Sequence, residues 1–480
     1  MKKKIIVFLT ILLFVVFFGS LFIGYTENKF INTIKYYTPQ KLKIFLKENF
    51  FFISNFKSQI NQIKKNAKNS NLRISNLEDQ INIQKKNINY LLSQIYANQD
   101  NILIPMIDNV RTIITEKNNT YRLRKFYYPA VPWQYNKKKP AGYLYQYEDL
   151  IFVASGDGKI NYFNINEIEN ETIKLNIINT NLKLFLNDEN IFNSGKISIR
   201  GIFIKNEKIF LSYAKKIKNN CYNTSIMSSN IDYDYLSFKE FFTYKECSEN
   251  FSNHTGGRMM DYNENNFLFT TGDGQVFSDV QNSESMWGKL LLINFNGKLE
   301  KIVAKGMRDT QGGEYYAKDK IVILSEHGPT GGDEINVVKL DEFDQEINFG
   351  WPVATYGEIK YIEIPENKFT IKDQLNHSKN GFKEPIKHYT PSVAPSHIIN
   401  VDNLRNDFNN DFFMSTLGNL PGVGRRALHH IKFDSDYKEV IYNDIIYIGE
   451  RVRDMIYVEE KNKLILMLEQ SPAISILEAL

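Results

Sequence analysis

Cysteine is almost absent from this chain of 480 residues, which carries only Cys221 and Cys247. So low a number excludes a scaffold held by many disulfides, and it excludes any zinc or iron–sulfur site that needs four thiolates. A bound metal would therefore use oxygen or histidine ligands. An excess of one charge is also lacking, because 59 lysine and arginine residues face 55 acidic residues and leave a formal charge of +4. This balance gives no reason to expect a nucleic-acid partner.

The N-terminal segment combines a basic triplet with a long apolar run. Lys2, Lys3 and Lys4 precede residues 5–23, which are almost purely apolar. A helix of this length crosses most of a hydrocarbon core of roughly 30 Å. A cleaved signal peptide is the alternative, although its apolar region is usually shorter and ends at a small-x-small site. We expect residues 1–25 to be a signal anchor, a single transmembrane helix in the inner (cytoplasmic) membrane, with the C-terminal domain facing the periplasm or the exterior.

A heptad pattern follows the apolar run. Apolar residues recur every seventh position, and a companion column lies three positions further on: Ile60, Ala67, Ile74, Ile81, Ile88 and Ile95, with Ile63, Ser70, Leu77, Gln84 and Leu91. The intervening residues are polar, and the segment contains neither proline nor glycine. We expect a helical stalk over residues 26–105, with a coiled coil at about residues 57–98 that makes the chain a homo-oligomer. The alternative is one helix packed on its own domain.

Beyond about residue 105 the pattern changes to short runs of β-branched and aromatic residues between Asn, Asp and Gly turns. Runs of this kind begin at Leu150, Ile209, Phe267, Ile321 and Leu464, and they recur at spacings of about 55 residues. Recurrent β-meanders of this length are typical of propeller blades. We therefore expect residues 106–480 to form an all-β, six-bladed β-propeller, although periodicity alone leaves five or seven blades open.

The two cysteines flank an expected hairpin. Cys221 opens one apparent strand and Cys247 closes the next strand segment, so an antiparallel hairpin would bring them together. A disulfide is geometrically reasonable in an oxidising compartment, and two separate thiols are the alternative.

Four segments depart from ordinary strand-and-turn composition, and they contain the candidate functional residues. They comprise residues 254–258 with His254, residues 306–312 with Arg308, residues 326–336 with Gly328 and Pro329, and residues 451–454 with Arg451 and Arg453. A neutral imidazole can accept a proton near neutral pH, guanidinium groups bind carboxylates or oxyanions, and backbone carbonyls are hard ligands of the kind calcium accepts. Taken singly, each segment is equally typical of a turn or a solvated edge.

The order of these segments resembles that of the glucose/sorbosone dehydrogenase family, the soluble quinoprotein sugar dehydrogenases that bind pyrroloquinoline quinone (PQQ). The resemblance covers approximately residues 140–480. It includes Thr270-Thr271-Gly272-Asp273, Trp287-Gly288-Lys289, Asn348-Phe349-Gly350-Trp351-Pro352 and Pro391-Ser392-Val393-Ala394-Pro395-Ser396, besides the four segments above. The family's fold is a six-bladed propeller, so the resemblance implies the same fold here.

The resemblance also implies roles for individual residues. His254 would remove the hydroxyl proton of a sugar or polyol substrate while hydride passes to PQQ, and Arg308 would stabilise the developing charge on the cofactor. Cofactor-binding residues would be Gln311, Arg451 and Arg453, of which the two arginines would hold the cofactor carboxylates. The carbonyls of Gly328 and Pro329 would ligate a Ca²⁺ ion that polarises the quinone.

Two departures from the family pattern concern the cofactor pocket. Asp309 stands where the family has asparagine, so an acidic side chain lies close to the position of a tricarboxylic cofactor. The lysine that the family has near Ser415 and Thr416 is missing. These departures favour the alternative of a catalytically degenerate propeller that binds a sugar or a protein partner. A propeller hydrolase ranks last, because no ordered set of acidic motifs supports it.

The topology yields a first testable prediction. Because the lysine triplet precedes the apolar run, protease added to intact spheroplasts should digest the C-terminal body of the chain. Immunoblotting with an antibody against the C-terminus measures the digestion, and a cytoplasmic marker protein controls for lysis. Protection of the C-terminal body, or a mature protein that starts near Glu27, would contradict the anchor.

Overall fold

The computed structural model describes residues 80, 81, 84, 101–128, 142–156, 158–186, 199–251, 254–358, 377–418, 422–471 and 473–480. The expected anchor, residues 1–25, lies outside the described residues. Of the expected coiled coil, only Gln80, Ile81 and Gln84 are described, and these three residues are helical. Within the described part of the chain, no helix combines the length and the apolar character that a membrane span requires. The coiled coil and the anchor therefore stay predictions.

The chain divides into two compact units, residues 1–109 and residues 110–480. The first unit contains β1 (Ile102–Leu103) and the start of β2 (Pro105–Ile114). The second unit contains six mainly antiparallel sheets, each built mainly from strands that follow one another in the sequence. This architecture confirms the predicted six-bladed propeller.

In each blade the strands are numbered from the first, at the centre of the propeller, to the outermost. The first strands of the six blades are β4 (Gly142–Tyr147), β9 (Ile199–Lys205), β14 (Gly256–Asp261), β18 (Thr310–Tyr316), β23 (Pro395–Asn400) and β27 (Val452–Val458). The second strands are β5 (Leu150–Ser155), β10 (Lys208–Lys218), β15 (Asn266–Thr271), β19 (Ile321–Glu326), β24 (Asp411–Thr416) and β28 (Lys463–Leu468). The third strands are β6 (Ile160–Asn164), β11 (Cys221–Asn230), β16 (Lys289–Asn294), β20 (Asp333–Lys339), β25 (Ala427–Phe433) and β29 (Ala473–Ala479).

The fourth strands complete the blades. They are β8 (Asn176–Thr180), β13 (Lys239–Phe242), β17 (Leu299–Lys305), β22 (Lys387–Tyr389), β26 (Val440–Tyr447) and β3 (Thr120–Tyr127). Three blades carry a fifth strand: β12 (Tyr235–Leu236), β21 (Ile347–Asn348) and β2, which enters this unit at Val110. Of these, β12 and β21 pair parallel with their neighbours. The remaining elements are β7 (Ile173–Lys174) and the 3₁₀ helices Ile165–Glu169, Leu182–Leu184, Phe277–Asp279, Leu340–Glu342, Ser378–Asn380 and Glu459–Lys461.

The six first strands form a ring around the axis, in which each one contacts the next and β27 contacts β4. The ring closes because β3, from the beginning of this unit, pairs antiparallel with β29 near the C-terminus. Strands that lie between neighbouring blades are buried on both faces, which explains why they are continuously apolar rather than alternating. Every residue of β19 and of β28 is buried, for example. These continuously apolar runs are the sequence pattern that predicted the blades.

Cys221 and Cys247 form a disulfide. Cys221 is the first residue of β11, which pairs antiparallel with β13, and Tyr222 forms a β-bridge with Ser248. The hairpin geometry expected from the sequence thus brings the two sulfurs together, and the alternative of two free thiols is wrong.

Removing this disulfide should destabilise the propeller. The bond closes a loop with a sequence separation of 26 residues, and a loop of this size corresponds to about 3 kcal/mol in the chain-entropy model. The double variant Cys221→Ser/Cys247→Ser should therefore unfold at a lower urea concentration than the parent protein. As a control, dithiothreitol should lower the midpoint of the parent and leave that of the double variant unchanged. Equal midpoints for both proteins without reductant would contradict this role.

Candidate active site

The loops that enter the first strands bring the sequence-predicted residues to one end of the propeller axis. His254 lies just before β14, Arg308 just before β18, and Gln311 within β18. Arg451 and Arg453 lie at the start of β27, and Gly328 lies in the loop between β19 and β20. Hydrogen bonds join these residues into two adjacent groups, one around His254 and one around Arg453.

The first group fixes the protonation state of His254. The Nε2 atom of His254 lies 2.8 Å from Nη2 of Arg308, and Nδ1 lies 2.9 Å from Oδ1 of Asp273. A guanidinium group can only donate, so Nε2 must accept from Arg308. The remaining ring proton is therefore on Nδ1, which donates to the carboxylate of Asp273. His254 is thus a neutral imidazole whose basic lone pair is on Nε2, and its side chain is 17% exposed.

Asp273 fixes the orientation of this imidazole. Its side chain is fully buried, and Oδ1 accepts a further hydrogen bond from the backbone N–H of Gln275. Its Oδ2 accepts from the indole Nε1 of Trp351 at 2.9 Å. A carboxylate fixed by three donors orients the imidazole and stabilises the imidazolium form. Asp273 belongs to the Thr270–Asp273 motif of the sequence, where its contact with His254 is not apparent.

Arg308 occupies the centre of the first group. Its Nη1 donates to the carbonyls of His327 and Gly328 at 3.0 and 2.8 Å, and its guanidinium lies 5.3 Å from the ring centroid of Trp351. The buried Nε atom of Arg308 has no hydrogen-bond partner among the described residues. An unpaired buried donor is costly, so this atom is suited to an acceptor on a ligand.

Hydrogen bonds to the buried carboxylate of Asp333 fix the loop that carries Gly328 and Pro329. Asp333 accepts from the backbone N–H of Gly328 at 2.9 Å and also from Ser392 and two backbone N–H groups of the loop before β23. A Cβ on Gly328 would lie 2.2 Å from the carbonyl oxygen of Gly332, so only glycine allows this tight turn. Asp333 therefore anchors the backbone of the loop.

Glu326 supports Arg308 from the end of β19. It accepts from the backbone N–H of Arg308 at 2.7 Å and from the hydroxyl of Thr310 at 3.1 Å. Burial raises the pKa of Glu326 to about 7. Burial also raises the pKa of Glu334, directly opposite on β20, and the nearby Glu326 raises it further. At neutral pH these two carboxyl groups contribute less than two full negative charges.

The second group is built on a buried carboxylate. Glu469 is 1% exposed and accepts from Nε of both Arg451 and Arg453 at 2.5 Å. Burial alone would raise the pKa of Glu469, but the two guanidinium groups more than offset it and lower the pKa. Nη1 of Arg453 also donates to Oε1 of Gln311 at 2.7 Å. The predicted cofactor-binding residues are thus joined. Gln311 contacts Arg453 directly, and Glu469, which was not identified from the sequence, bridges Arg451 and Arg453.

Asp309 connects the two groups. Its Oδ1 accepts from the backbone N–H groups of Thr255 and Gly256 at 3.1 and 3.2 Å, and its Oδ2 accepts from Nε2 of Gln311 at 2.8 Å. The side chain is 2% exposed. The acidic residue noted in the sequence is therefore part of the hydrogen-bonded framework.

A small axial cavity lies beside Arg453. It has a volume of about 10 Å³, which is room for about one water molecule, and it is lined by Tyr143, Arg200, Thr255, Gly256, Gln311 and Arg453. Burial lowers the pKa of Arg200 and raises that of Tyr143. Neither residue was identified from the sequence, and Arg200 is the second residue of β9. No group of three or more histidine, cysteine or acidic residues suited to a metal occurs in the described residues.

Comparisons with known proteins agree with this fold. The chain is 26% identical over 211 residues to the aldose sugar dehydrogenase YliI of Escherichia coli K12, an alignment that covers 40% of this chain and 53% of that protein. It is also 26% identical over 227 residues to the uncharacterized protein slr1608 of Synechocystis, covering 42% of this chain and 50% of that protein. The chain thus spans about half the length of these curated relatives.

Solved structures share the fold at low sequence identity. A crystal structure of glucose dehydrogenase gives a TM-score of 0.56 at 18% identity, covering 71% of this chain and 96% of that one. The PQQ-bound form of aldose sugar dehydrogenase from Streptomyces coelicolor gives 0.53 at 15% identity, covering 75% and 98%.

The sequence model of one family, described as Glucose / Sorbosone dehydrogenase, matches residues 194–476. This match includes His254, Arg308, Gln311 and the Arg451–Arg453 pair, and it extends over more than half of the chain. The protein therefore belongs to the glucose/sorbosone dehydrogenase family.

Proposed function

We propose that this protein is a membrane-anchored, PQQ-dependent dehydrogenase that oxidises an aldose or a related sugar or polyol. The observation that carries the proposal is the neutral His254, oriented by Asp273 and in contact with Arg308. Sugar dehydrogenases among the relatives and a PQQ-bound structural neighbour support the substrate class and the cofactor.

The arginines around the axis suit the polar groups of an anionic cofactor. Four guanidinium groups, those of Arg200, Arg308, Arg451 and Arg453, lie in a framework that also holds the buried acidic side chains of Asp273, Asp309, Glu326, Asp333 and Glu469. The unpaired Nε of Arg308 and the guanidinium groups of Arg451 and Arg453 fit the carboxylates and carbonyl oxygens of PQQ. Arg451, Arg453 and Gln311 would hold the cofactor, and PQQ, when bound, would supply the hydride acceptor.

The proposed role of His254 follows from its tautomer. Nε2 can take the proton of a sugar hydroxyl, and a carbonyl forms at the substrate carbon as its C–H bond loses a hydride. In the present structure Arg308 donates to the same lone pair, so the substrate hydroxyl and Arg308 compete for it. Once protonated, the ring is stabilised by Asp273, whose carboxylate is fixed by Trp351 and Gln275.

Calcium binding by the carbonyls of Gly328 and Pro329 stays a prediction. The Gly328 carbonyl already accepts from Arg308, although a carbonyl oxygen has a second lone pair for a cation. Arg308 is therefore the positive group that this loop binds in the structure.

The cellular setting is part of the proposal. The lysine triplet and the apolar run at residues 5–23 favour an anchor, and the Cys221–Cys247 disulfide is typical of an oxidising compartment such as the periplasm. Self-association through residues 57–98 would make the protein an oligomer.

A second candidate is a propeller that binds a sugar or a protein partner without oxidising it. The specific observation in its favour is Asp309, a buried carboxylate among the groups that would hold an anionic cofactor. Sugar-dependent reduction of a redox dye by the full-length chain with PQQ and calcium distinguishes the two candidates. Reduction that requires both sugar and PQQ supports the dehydrogenase, and binding of sugar without dye reduction supports the alternative.

Replacing the proposed base should affect turnover and spare cofactor binding. In His254→Ala the group that accepts the hydroxyl proton is lost, so kcat for dye reduction should fall by about two to four powers of ten. The Kd for PQQ, measured by absorbance titration, should change little. His388→Ala, which removes an exposed histidine on β22, is the matched control and should keep the parent rate. A rate for His254→Ala within threefold of the parent would exclude His254 as the base.

Replacing Arg453 should weaken cofactor binding and largely spare turnover. Arg453→Ala removes a buried guanidinium from the proposed carboxylate site, so PQQ affinity should weaken by about 2–5 kcal/mol while kcat at saturating PQQ changes less. The control Arg122→Ala removes an arginine whose side chain is 47% exposed and should leave the affinity unchanged. Thermal unfolding of each variant checks the fold. Unchanged PQQ affinity in a folded Arg453→Ala protein would exclude Arg453 as a group that holds the cofactor carboxylates.

A further inference from the structure

A second, larger cavity lies at the opposite end of the ring of first strands. Its volume is about 410 Å³, within the usual range for small-molecule sites. All six first strands contribute to its wall, through Tyr145, Ile202, Met260, Glu314, His397 and Tyr457. These residues lie in the middle or later half of their strands, whereas His254, Arg308 and Arg453 lie at or before the strand starts.

A buried ion pair separates this cavity from the candidate active site. Arg258 donates to Oδ1 of Asp454 at 2.8 Å, and the two side chains are 6% and 0% exposed. Nε of Arg258 also donates to the carbonyl of Gln311, and Oδ2 of Asp454 accepts from the backbone N–H of Leu144. The Arg258–Asp454 ion pair therefore ties four first strands together, β4, β14, β18 and β27, and the cavity beyond it is a separate site.

The wall of the cavity has an excess of carboxyl groups. Asp261 pairs with Lys205 at 2.9 Å, and Asp402 lies 3.5 Å from Lys318. Glu314, by contrast, accepts only from the backbone N–H of Asn400, and within the described residues no cationic side chain pairs with it. Desolvation raises the pKa of Glu314 to about 8, so without a ligand this carboxyl group is mostly protonated at neutral pH. An ammonium group that enters the cavity favours the ionised form, and Glu314 then releases its proton to solvent.

An imidazole gives independent evidence for a ligand. His397 is 7% exposed and lines the cavity, and its Nδ1 has no hydrogen-bond partner among the described residues. Burial lowers the pKa of His397, and Arg258 lowers it further, so the ring is neutral at physiological pH. The Nδ1 atom of His397 can therefore accept a hydrogen bond from an N–H group of a ligand. Tyr145, Tyr315 and Tyr457 also line the cavity, and aromatic faces attract ammonium groups.

We propose that this cavity, defined by Glu314, His397 and the tyrosines at the far end of the axis, binds a small organic molecule that carries a protonated amine. The ammonium group pairs with the carboxylate of Glu314, and the carbon skeleton contacts the apolar part of the wall, which includes Ile202, Met260 and Met455. The site is independent of the proposed PQQ chemistry, so its occupancy is measurable whether or not the protein oxidises sugars.

Titration calorimetry of the full-length chain with two matched probes tests the proposal. Benzylammonium and benzyl alcohol have similar shapes and differ in charge. Benzylammonium should bind one site per chain at least ten times more tightly than benzyl alcohol. Equal affinities, or no binding of benzylammonium, would overturn the proposal. A control titration with PQQ already added should give the same benzylammonium affinity, because the two sites are separate.

Two variants locate the binding site. Glu314→Gln keeps the shape of the side chain and cannot ionise when an ammonium group binds, so the two probes should then bind within about threefold of each other. Glu459→Gln, at the exposed rim of the cavity, should weaken benzylammonium binding by a smaller factor of about two to three. The matched control Glu171→Gln, on the outside of the propeller, should have no effect. A tenfold preference for benzylammonium that survives in folded Glu314→Gln would place the probe elsewhere and overturn the proposal.

Discussion

Closure of the ring of six blades is the constraint on which the remaining structure depends. β3 pairs with β29 in continuous register from Tyr121 opposite Ala479 to Tyr127 opposite Ala473. This pairing places β27 next to β4 and β23, and it brings Arg453 to 2.7 Å from Gln311, which is 142 residues earlier in the chain. The residues of the candidate site lie on different sheets, and closure holds those sheets around one axis.

The sequence allowed the architecture and part of the site to be predicted. Continuous apolar runs such as β19 indicated blades because burial on both faces leaves no polar alternation. His254, Arg308 and Arg453 were recognisable because they occur in glycine-rich or arginine-rich segments of unusual composition. Glu469 was not recognisable, since a single glutamate after an apolar strand resembles any surface residue. Its role arises only from strand register, which sets the end of β28 opposite the start of β27.

Hydrogen-bond direction was the other feature that composition could not supply. The sequence placed His254 and Asp273 in neighbouring motifs, but the tautomer follows from the contact between Nε2 and a guanidinium, which cannot accept. Asp309 illustrates the same limit. An acidic side chain near an anionic cofactor reads as unfavourable in the sequence, whereas its carboxylate is satisfied by two backbone N–H groups and Gln311. The two ends of the axis also differ in charge: arginines and acidic side chains are paired at the His254 end, whereas Glu314 at the other end has no cationic partner among the described residues.

PQQ binding by the arginines at the His254 end of the axis is the proposal on which the function depends. An absorbance titration of the purified full-length chain with PQQ, carried out with and without calcium, tests it. We expect saturable binding at one PQQ per chain that weakens as the salt concentration rises, because guanidinium groups would hold the cofactor carboxylates. Absence of PQQ binding under both conditions, in a chain that is folded by circular dichroism, would contradict the proposal and leave the binding propeller as the function of this fold.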